Sequence, residues 1–249
     1  MSFKDHFSQA SQAYAQSRPR YSRALVDFLA DVSPSTGLAW DVGCGSGQLS
    51  TLLPERFAHV IATDASAQQL EHAEAHPKVE YRHAPAEASG LDANVADCIT
   101  VAQAAHWFEL PRFYAEVRRV ARVPASVIAL ITYSFHSVAP AVDEVVGRFA
   151  LGTLADFWPK ERRHVDAGYA SLDFPFARLD VPPLELVADW EVDAMLGYIR
   201  TWSATSAFLR AGHEREVQDF EDQVRSAWGS IRARRVTWPL TVVAGRVGA

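Results

Sequence analysis

The sequence predicts an α/β fold: a doubly wound, mostly parallel sheet of seven strands with a helical cap over its ligand-binding edge. Three observations predict it. Short apolar runs alternate with helical patterns from Leu38 to Thr132, as strands and their covering helices do. The first run, Leu38-Ala39-Trp40-Asp41-Val42, leads straight into Gly43-Cys44-Gly45-Ser46-Gly47, a turn in which glycine admits positive φ and close approach of a ligand. Gly43, Asp64, Glu87 and Gln103 all fall at carboxyl ends of successive runs, the edge where open α/β sheets of Rossmann-like type bind ligands.

The 249 residues suit one domain: lid helices over 1–30, a core over 36–132, a cap and later helices over 133–234, and a last strand over 235–247. Hydrophobic and charged fractions of 49% and 22% are globular values and exclude a disordered or fibrous chain. Lysine plus arginine is 24 against 30 acids, a net charge of −6, and no long basic run precedes Arg232, Arg234 and Arg235. Nucleic acid is therefore not an expected partner. Cys44 and Cys98 suggest no disulfide framework, which fits a reducing cytoplasm. No apolar leader follows the first residues and no segment approaches the ~20 apolar residues of a span, so no membrane partner is expected.

The loop reads G-x-G-x-G, with Asp41 two residues before its first glycine. A carboxylate there repels a pyrophosphate and suits a ligand bearing an ammonium and a sulfonium, while the helix start beyond it should offer free N–H groups. Asp41 to Gly47 resembles the first motif of the class I S-adenosylmethionine-dependent methyltransferases, an acidic residue followed by x-G-x-G-x-G. The resemblance implies S-adenosylmethionine as cofactor, S-adenosylhomocysteine as product, and Asp41, Gly43, Cys44, Gly45, Ser46 and Gly47 as cofactor residues.

Upstream, one helical pattern carries Phe3, Phe7 and Tyr14 and a second Tyr21, Leu25, Phe28 and Leu29, with a break at Arg18-Pro19. Tyr14, Arg18, Pro19 and Tyr21 resemble the Y-x-x-x-R-P-x-Y segment that folds over the cofactor's methionine end in many small-molecule methyltransferases. This implies Tyr14 and Arg18 at the cofactor and Tyr21 on the substrate side; each tyrosine could instead be core.

Downstream, Leu49, Leu52 and Leu53 mark a helix face that Pro54 interrupts, and His59 to Thr63 form a strand ending at Asp64, 23 residues beyond Asp41. An acid there suits a vicinal diol, so Asp64, with Ala65 and Gln69, is expected at the cofactor. Ser66-x-x-Gln69 reads as a capping box that leaves Asp64 to the ligand. His72 and His76, on the next predicted helix, and His83 lack an acid or cysteine to complete a set, so no metal is expected.

Val79 to His83 is the third strand, after which Ala86 and Glu87 match the motif that meets the adenine edge; an exposed loop charge is the alternative for Glu87. Ala96 to Val101, the fourth, runs into Ala102-Gln103-Ala104-Ala105-His106-Trp107-Phe108, small residues and then a wall of rings. The line from Ala105 to Phe113 resembles the trans-aconitate methyltransferase-like group. Ala102 and Gln103 are expected at the cofactor and Trp107 at the substrate. His106, with a pKa near neutrality, is the candidate base for a hydroxyl or amine acceptor; for a carboxylate, an arginine such as Arg18 or Arg200 would orient it.

Pro111 suits a helix start, and Phe113, Val117 and Val120 its buried face; where relatives carry Pro-Gly-Gly, this chain has Val123-Pro124-Ala125. Ser126 to Thr132 is the fifth strand, 133–182 an irregular cover over the substrate, and Leu184 to Trp190 a sixth strand. Two helices fill Val192 to Arg234 and carry Tyr198-Ile199-Arg200-Thr201-Trp202-Ser203, which also resembles the trans-aconitate group and implies Tyr198, Arg200 and Trp202 at the substrate. Arg235 to Val247 is an antiparallel last strand. The expected reaction is methyl transfer to a small molecule, at a carboxylate or hydroxyl oxygen. Its rivals are a nucleic-acid methyltransferase, which the acidic balance weakens, and an inactive cofactor-binding scaffold.

Overall fold

The computed structural model describes residues 18–248, so Tyr14 lies outside the described residues. Five strands, β1 (Leu38–Val42), β2 (His59–Asp64), β3 (Val79–His83), β4 (Cys98–Ala102) and β5 (Ser126–Thr132), run parallel in the order β3-β2-β1-β4-β5. The chain winds outward from β1 to β3 and restarts at β4 on the other side of β1. The switch point, where such sheets bind ligands, therefore lies between the ends of β1 and β4. The final strand, β8 (Arg234–Val247), pairs antiparallel with β5 through Thr241–Val247 and with β7 (Leu184–Trp190) through Arg234–Leu240. A two-residue strand, β6 (Ala177–Arg178), closes the edge on β8, too short for any sequence period to announce.

Alternation within the strands supplies two cores, one on each face. Ala39, Cys98, Ala129 and Ile131 join one cluster, and Trp40, Val42, Ile99, Val101, Ile128 and Leu130 the other. The first face is covered by α1 (Arg23–Val32), through Leu25, Val26 and Leu29, and by the later helices α6 (Val192–Arg200), α7 (Ser203–Arg210) and α8 (Glu214–Trp228). The second packs on α3 (Leu110–Val120) through Phe113, Val117 and Val120. Between them come α2 (Ala67–Leu70), α4 (Pro140–Arg148), which continues into a π-helical turn over Phe149–Thr153, and α5 (Arg162–Asp166).

The helix expected after the glycine turn is replaced by hydrogen-bonded turns ending in a 3-10 turn over Leu53–Glu55. Pro54 cannot donate to the carbonyl four residues back, and between it and Gly47 too few residues remain to propagate a helix. His72 and His76 likewise lie beyond the end of α2, not on a helix. Val192 to Arg234 holds three helices rather than two, because the chain turns at Thr201 and Trp202 between α6 and α7 and again at Gly212, φ +92°, before α8 begins. Among the described residues no helix is long and apolar enough to cross a membrane.

Candidate active site

Asp41 is 1% exposed and accepts from Ser50 Oγ at 2.6 Å and Thr100 Oγ1 at 2.8 Å. Burial raises its pKa to about 6 against the opposing effect of those two hydroxyls, and Asp64 nearby adds to the rise. Asp41 thus lies beneath the loop and braces β1 against β4 and the turn. The loop amides are spent inside the protein: Gly43 and Cys44 N–H donate to the Thr63 carbonyl, Gly45 N–H to Asp64 Oδ2, and Gly47 N–H to the Cys44 carbonyl. With these four amides engaged, the turn offers closeness without a row of donors, unlike a phosphate cradle.

Gly43 holds φ +66°, and a Cβ there would stand 2.6 Å from Ala104 Cβ, so only glycine lets the turn pack on the floor beyond β4. Gly47 is covered by Tyr81, whose hydroxyl donates to the Glu74 carbonyl at 2.8 Å. Ser46 is buried, its carbonyl accepting from Glu74 N–H, and burial raises the Cys44 thiol well above its ordinary pKa, with Asp41 and Asp64 adding.

Asp64, ending β2, accepts from Gly45 N–H through Oδ2 and from Ser66 N–H through Oδ1, both at 2.8 Å. Half of the expected capping box forms: Ser66 Oγ accepts from Gln69 N–H at 3.3 Å. Gln69 does not reciprocate, because Asp64 takes the Ser66 N–H, so the box does not leave Asp64 to the ligand as expected. The Gln69 side chain is left with Oε1 buried and without a hydrogen-bond partner, beside Gly45, where a Cβ would find nothing closer than that oxygen at 3.9 Å. A glycine-walled space beside a buried acceptor and a carboxylate fits a ligand rich in donors, such as S-adenosylmethionine with its ammonium, ribose hydroxyls and adenine amino group. Ala65 lies at the same strand end, its carbonyl in contact with His83 Nε2 at 3.0 Å.

Farther along the edge, Ala86 is buried and Glu87 Oε1 accepts the N–H of Glu109, the residue capping α3, at 2.9 Å. Ala102 ends β4, and Gln103 after it takes φ +56°, a left-handed conformation that a non-glycine residue holds only where its surroundings impose it. Gln103 is imposed on from both ends: Nε2 donates to the Tyr133 carbonyl at 2.8 Å and Oε1 accepts from Thr132 Oγ1 at 2.7 Å.

Next to this floor is a cavity of about 90 Å³ lined by Arg18, Gln103, His106, Trp107, Ser134, Trp158, Arg162, Tyr198 and Trp202 among others. The structure brings the predicted residues Arg18, Gln103, His106, Trp107, Tyr198 and Trp202 together there. Arg18 lies over the Tyr198 ring at 5.2 Å, and Tyr198 meets Trp202 edge-on at 5.7 Å. A wider hollow of about 340 Å³ lies beyond Trp158 and Arg162 and opens outward.

Two residues depart from their expected places. Arg200 does not line the cavity: its guanidinium is bonded to Glu221 and lies 3.6 Å from Glu214. Tyr198, two residues earlier on α6, points to the cavity, and two residues are about 200° of helix, so the two cannot share a face. Tyr21 is 9% exposed, packs in the core with Leu25 and Leu29, and is not among the cavity residues. His106 lines the cavity, but its pKa is lowered to about 4, first by burial and then by His164 and Arg162, so the expectation of a value near neutrality is corrected. Its Nδ1 lies 2.9 Å from the Tyr169 hydroxyl.

Sequence reading missed Arg162 altogether. Its Nε donates to Asp166 Oδ1 at 2.8 Å and its NH2 to Ser134 Oγ at 3.2 Å, and the guanidinium lies over Trp158 at 4.2 Å and Phe135 at 4.6 Å. The available signal was the pair Trp158 and Arg162, one turn apart in an aromatic-rich cover.

Residues 40–129 match the family described as Methyltransferase domain. A candidate methyltransferase of Dictyostelium discoideum is 32% identical over 251 aligned positions, 97% of this chain and 94% of that protein. The chain belongs to the class I S-adenosylmethionine-dependent methyltransferases. A solved structure from Anaeromyxobacter dehalogenans, described as a candidate type II methyltransferase, is 49% identical with a TM-score of 0.87, covering 92% of this chain and 97% of that one. An uncharacterized methyltransferase of Mycobacterium tuberculosis is 36% identical over 126 residues, 50% of this chain and 51% of its own length.

Proposed function

We propose that this methyltransferase transfers the methyl group to a carboxylate oxygen of a small acidic molecule. The observation that carries the reading is Arg162, a guanidinium braced by Asp166 and Ser134 and stacked on Trp158 in the wall of the cavity beside Gln103. A braced planar fork matches a carboxylate in two places. The cavity of about 90 Å³ suits a small acceptor group.

S-adenosylmethionine supplies a methyl group already activated on sulfonium sulfur. Toward it, Asp64 and Gln69 are the acceptors for ribose and ammonium donors, the turn from Gly43 to Gly47, with Cys44, Ser46 and Ala65, forms the near wall, and Asp41 supplies negative potential from below. Ala86 and Glu87 belong to the adenine side, Ala102 and Gln103 to the floor, and Arg18, with Tyr14, to the cofactor's carboxylate. Trp107, Tyr198 and Trp202 exclude water from the acceptor.

His106 fits a carboxylate better than a hydroxyl acceptor. Accepting a proton would create an imidazolium in a buried site beside Arg162, and its pKa of about 4 reflects that cost. A carboxylate is ionised at neutral pH and gives up no proton on methylation, so orientation by Arg162 suffices. The test is S-adenosylhomocysteine release with panels of small carboxylic acids, phenols and amines. Turnover of acids is expected. Turnover of phenols or amines with every acid inert overturns the proposal.

A further inference from the structure

Trp158 and Arg162 line the cavity beside Gln103 and also the outer hollow, as do Phe135 and Pro159, so the two spaces share a wall of four residues. The inner space, about 90 Å³, has room for an acceptor group and little more. The outer one, about 340 Å³, falls within the ~300 to 1,000 Å³ of ordinary ligand sites. Neither the cofactor edge nor a carboxylate at Arg162 makes use of it.

The hollow's lining is mostly apolar: Phe135, Ala150, Leu151, Ala155, Trp158 and Pro159. Of its charged residues, Arg162 and Asp166 pair with each other, and Lys160 and Arg163 are exposed, as side chains are that lay a hydrocarbon stem on apolar surface and keep the charge in water. Leu151 is 67% exposed, more than any other large hydrophobic residue among those described. A lone exposed leucine is ordinary, but this one stands in an apolar lining, and the segment that carries it is firmly built. Leu151 lies in the π-helical turn, where Leu154 N–H donates to the Phe149 carbonyl, five residues back, at 2.9 Å. Phe149 stacks on Phe220 of α8 with ring centres 3.8 Å apart, and Trp158 Nε1 donates to the Ala150 carbonyl at 2.8 Å, tying the turn to the shared wall. Such turns are rare and recur at functional sites.

We propose that the outer hollow holds the body of the substrate, and that the acids methylated here carry an apolar chain, not a short stub or a second charge. The carboxylate meets Arg162 on the cavity side while the chain lies along Trp158 and Leu151. A lone pair of the carboxylate oxygen forms the O–CH3 bond as the S–CH3 bond breaks and its electrons return to sulfur, giving an ester and S-adenosylhomocysteine with no proton moved. Each methylene taken from water into the hollow strengthens binding by up to about fourfold, whereas a charged chain end against Phe135 and Leu151 forfeits that gain. The headgroup part rests on the carboxylate reading; the chain part rests on the hollow itself.

Calorimetry with S-adenosylhomocysteine bound, using butyrate, hexanoate, octanoate and octanedioate, tests the hollow without turnover. Affinity should rise at least tenfold from butyrate to octanoate, and octanedioate should bind more weakly than octanoate. Leu151→Asp, at an exposed position that accepts a charge without loss of the fold, should cost octanoate at least fivefold more than it costs butyrate. No gain with chain length, or tighter binding of octanedioate than of octanoate, overturns the proposal. A gain that Leu151→Asp leaves intact also overturns it, because the chain then lies elsewhere. Turnover of the same acids, with octanol and octylamine beside them, separates this proposal from the carboxylate reading. Acids of every length used equally well overturn the chain and leave the carboxylate standing. Octanol or octylamine methylated with every acid inert overturns the carboxylate, and the Leu151→Asp comparison repeated with that compound still decides whether the hollow holds its chain.

Discussion

Replacing Asp41 by Asn tests the electrostatics beneath the glycine turn without touching the cavity. In the folded protein Asp41 titrates at about 6, raised chiefly by burial, against 3.8 for an ordinary aspartate. The folded state therefore binds the proton more tightly than the unfolded chain. The stabilisation from protonation is fully present below the unfolded value and is lost as pH rises through about 6. Two pH units at ~1.4 kcal/mol each amount to about 3 kcal/mol between pH 4 and 7. Asp41→Asn keeps the shape and has no such titration. The assay is urea unfolding of both proteins at several pH values, taking the difference in stability. Glu116, held at about 2 first by its hydrogen bonds with Arg119 and then by those from Ser89, loses its contribution only as pH falls below the usual glutamate value, and cancels because both proteins share it. The wild type should gain on the variant steadily as pH falls from 7 to 4. A difference that stays flat over that range would refute the reasoning.

Other changes have sharper local consequences. Asp64→Ala should weaken S-adenosylhomocysteine binding by about 1 to 3 kcal/mol in calorimetry, the scale of hydrogen bonds to a charged acceptor; unchanged affinity would remove Asp64 from the cofactor site. Arg162→Ala should raise KM for an acid substrate tenfold or more, whereas Arg200→Ala should lower the unfolding temperature and leave KM alone, since it deprives buried Glu221 of its partner. The opposite pattern would return Arg200 to the substrate side. Ala125 holds φ +87°, a left-handed conformation that favours glycine, so Ala125→Gly should stabilise the protein by about 1 kcal/mol in thermal unfolding, and a loss of stability would show that the methyl group is packed.

Local chemistry decided how much was legible in the sequence. The parallel strands announce themselves because both faces are buried: Ser126–Thr132 is apolar but for its ends, and Leu38–Val42 breaks its apolar run only at Asp41. The glycine turn is legible because packing against Ala104 demands glycine at Gly43. The cover was harder to read. Arg162 reaches the cavity from a five-residue helix, and Tyr169 reaches His106 from a left-handed turn, neither of which leaves a period in the sequence. Arg200 was misplaced because a motif read as a string ignores that alternate residues of a helix point apart, and Asp64 was taken to be left to the ligand because a capping box can be recognised in letters but is formed by competition for one N–H.

The claim at the centre of this account is that the cavity beside Gln103 presents a carboxylate oxygen to the methyl donor. Carbon-13 NMR of the product formed from methyl-labelled S-adenosylmethionine and the acid panel tests it most directly, because the labelled carbon reports the atom to which it is bonded. The account predicts an ester methyl, formed at a rate that shows no histidine titration between pH 6 and 8 and falls on Arg162→Ala. A label found on nitrogen or on a hydroxyl oxygen would contradict it.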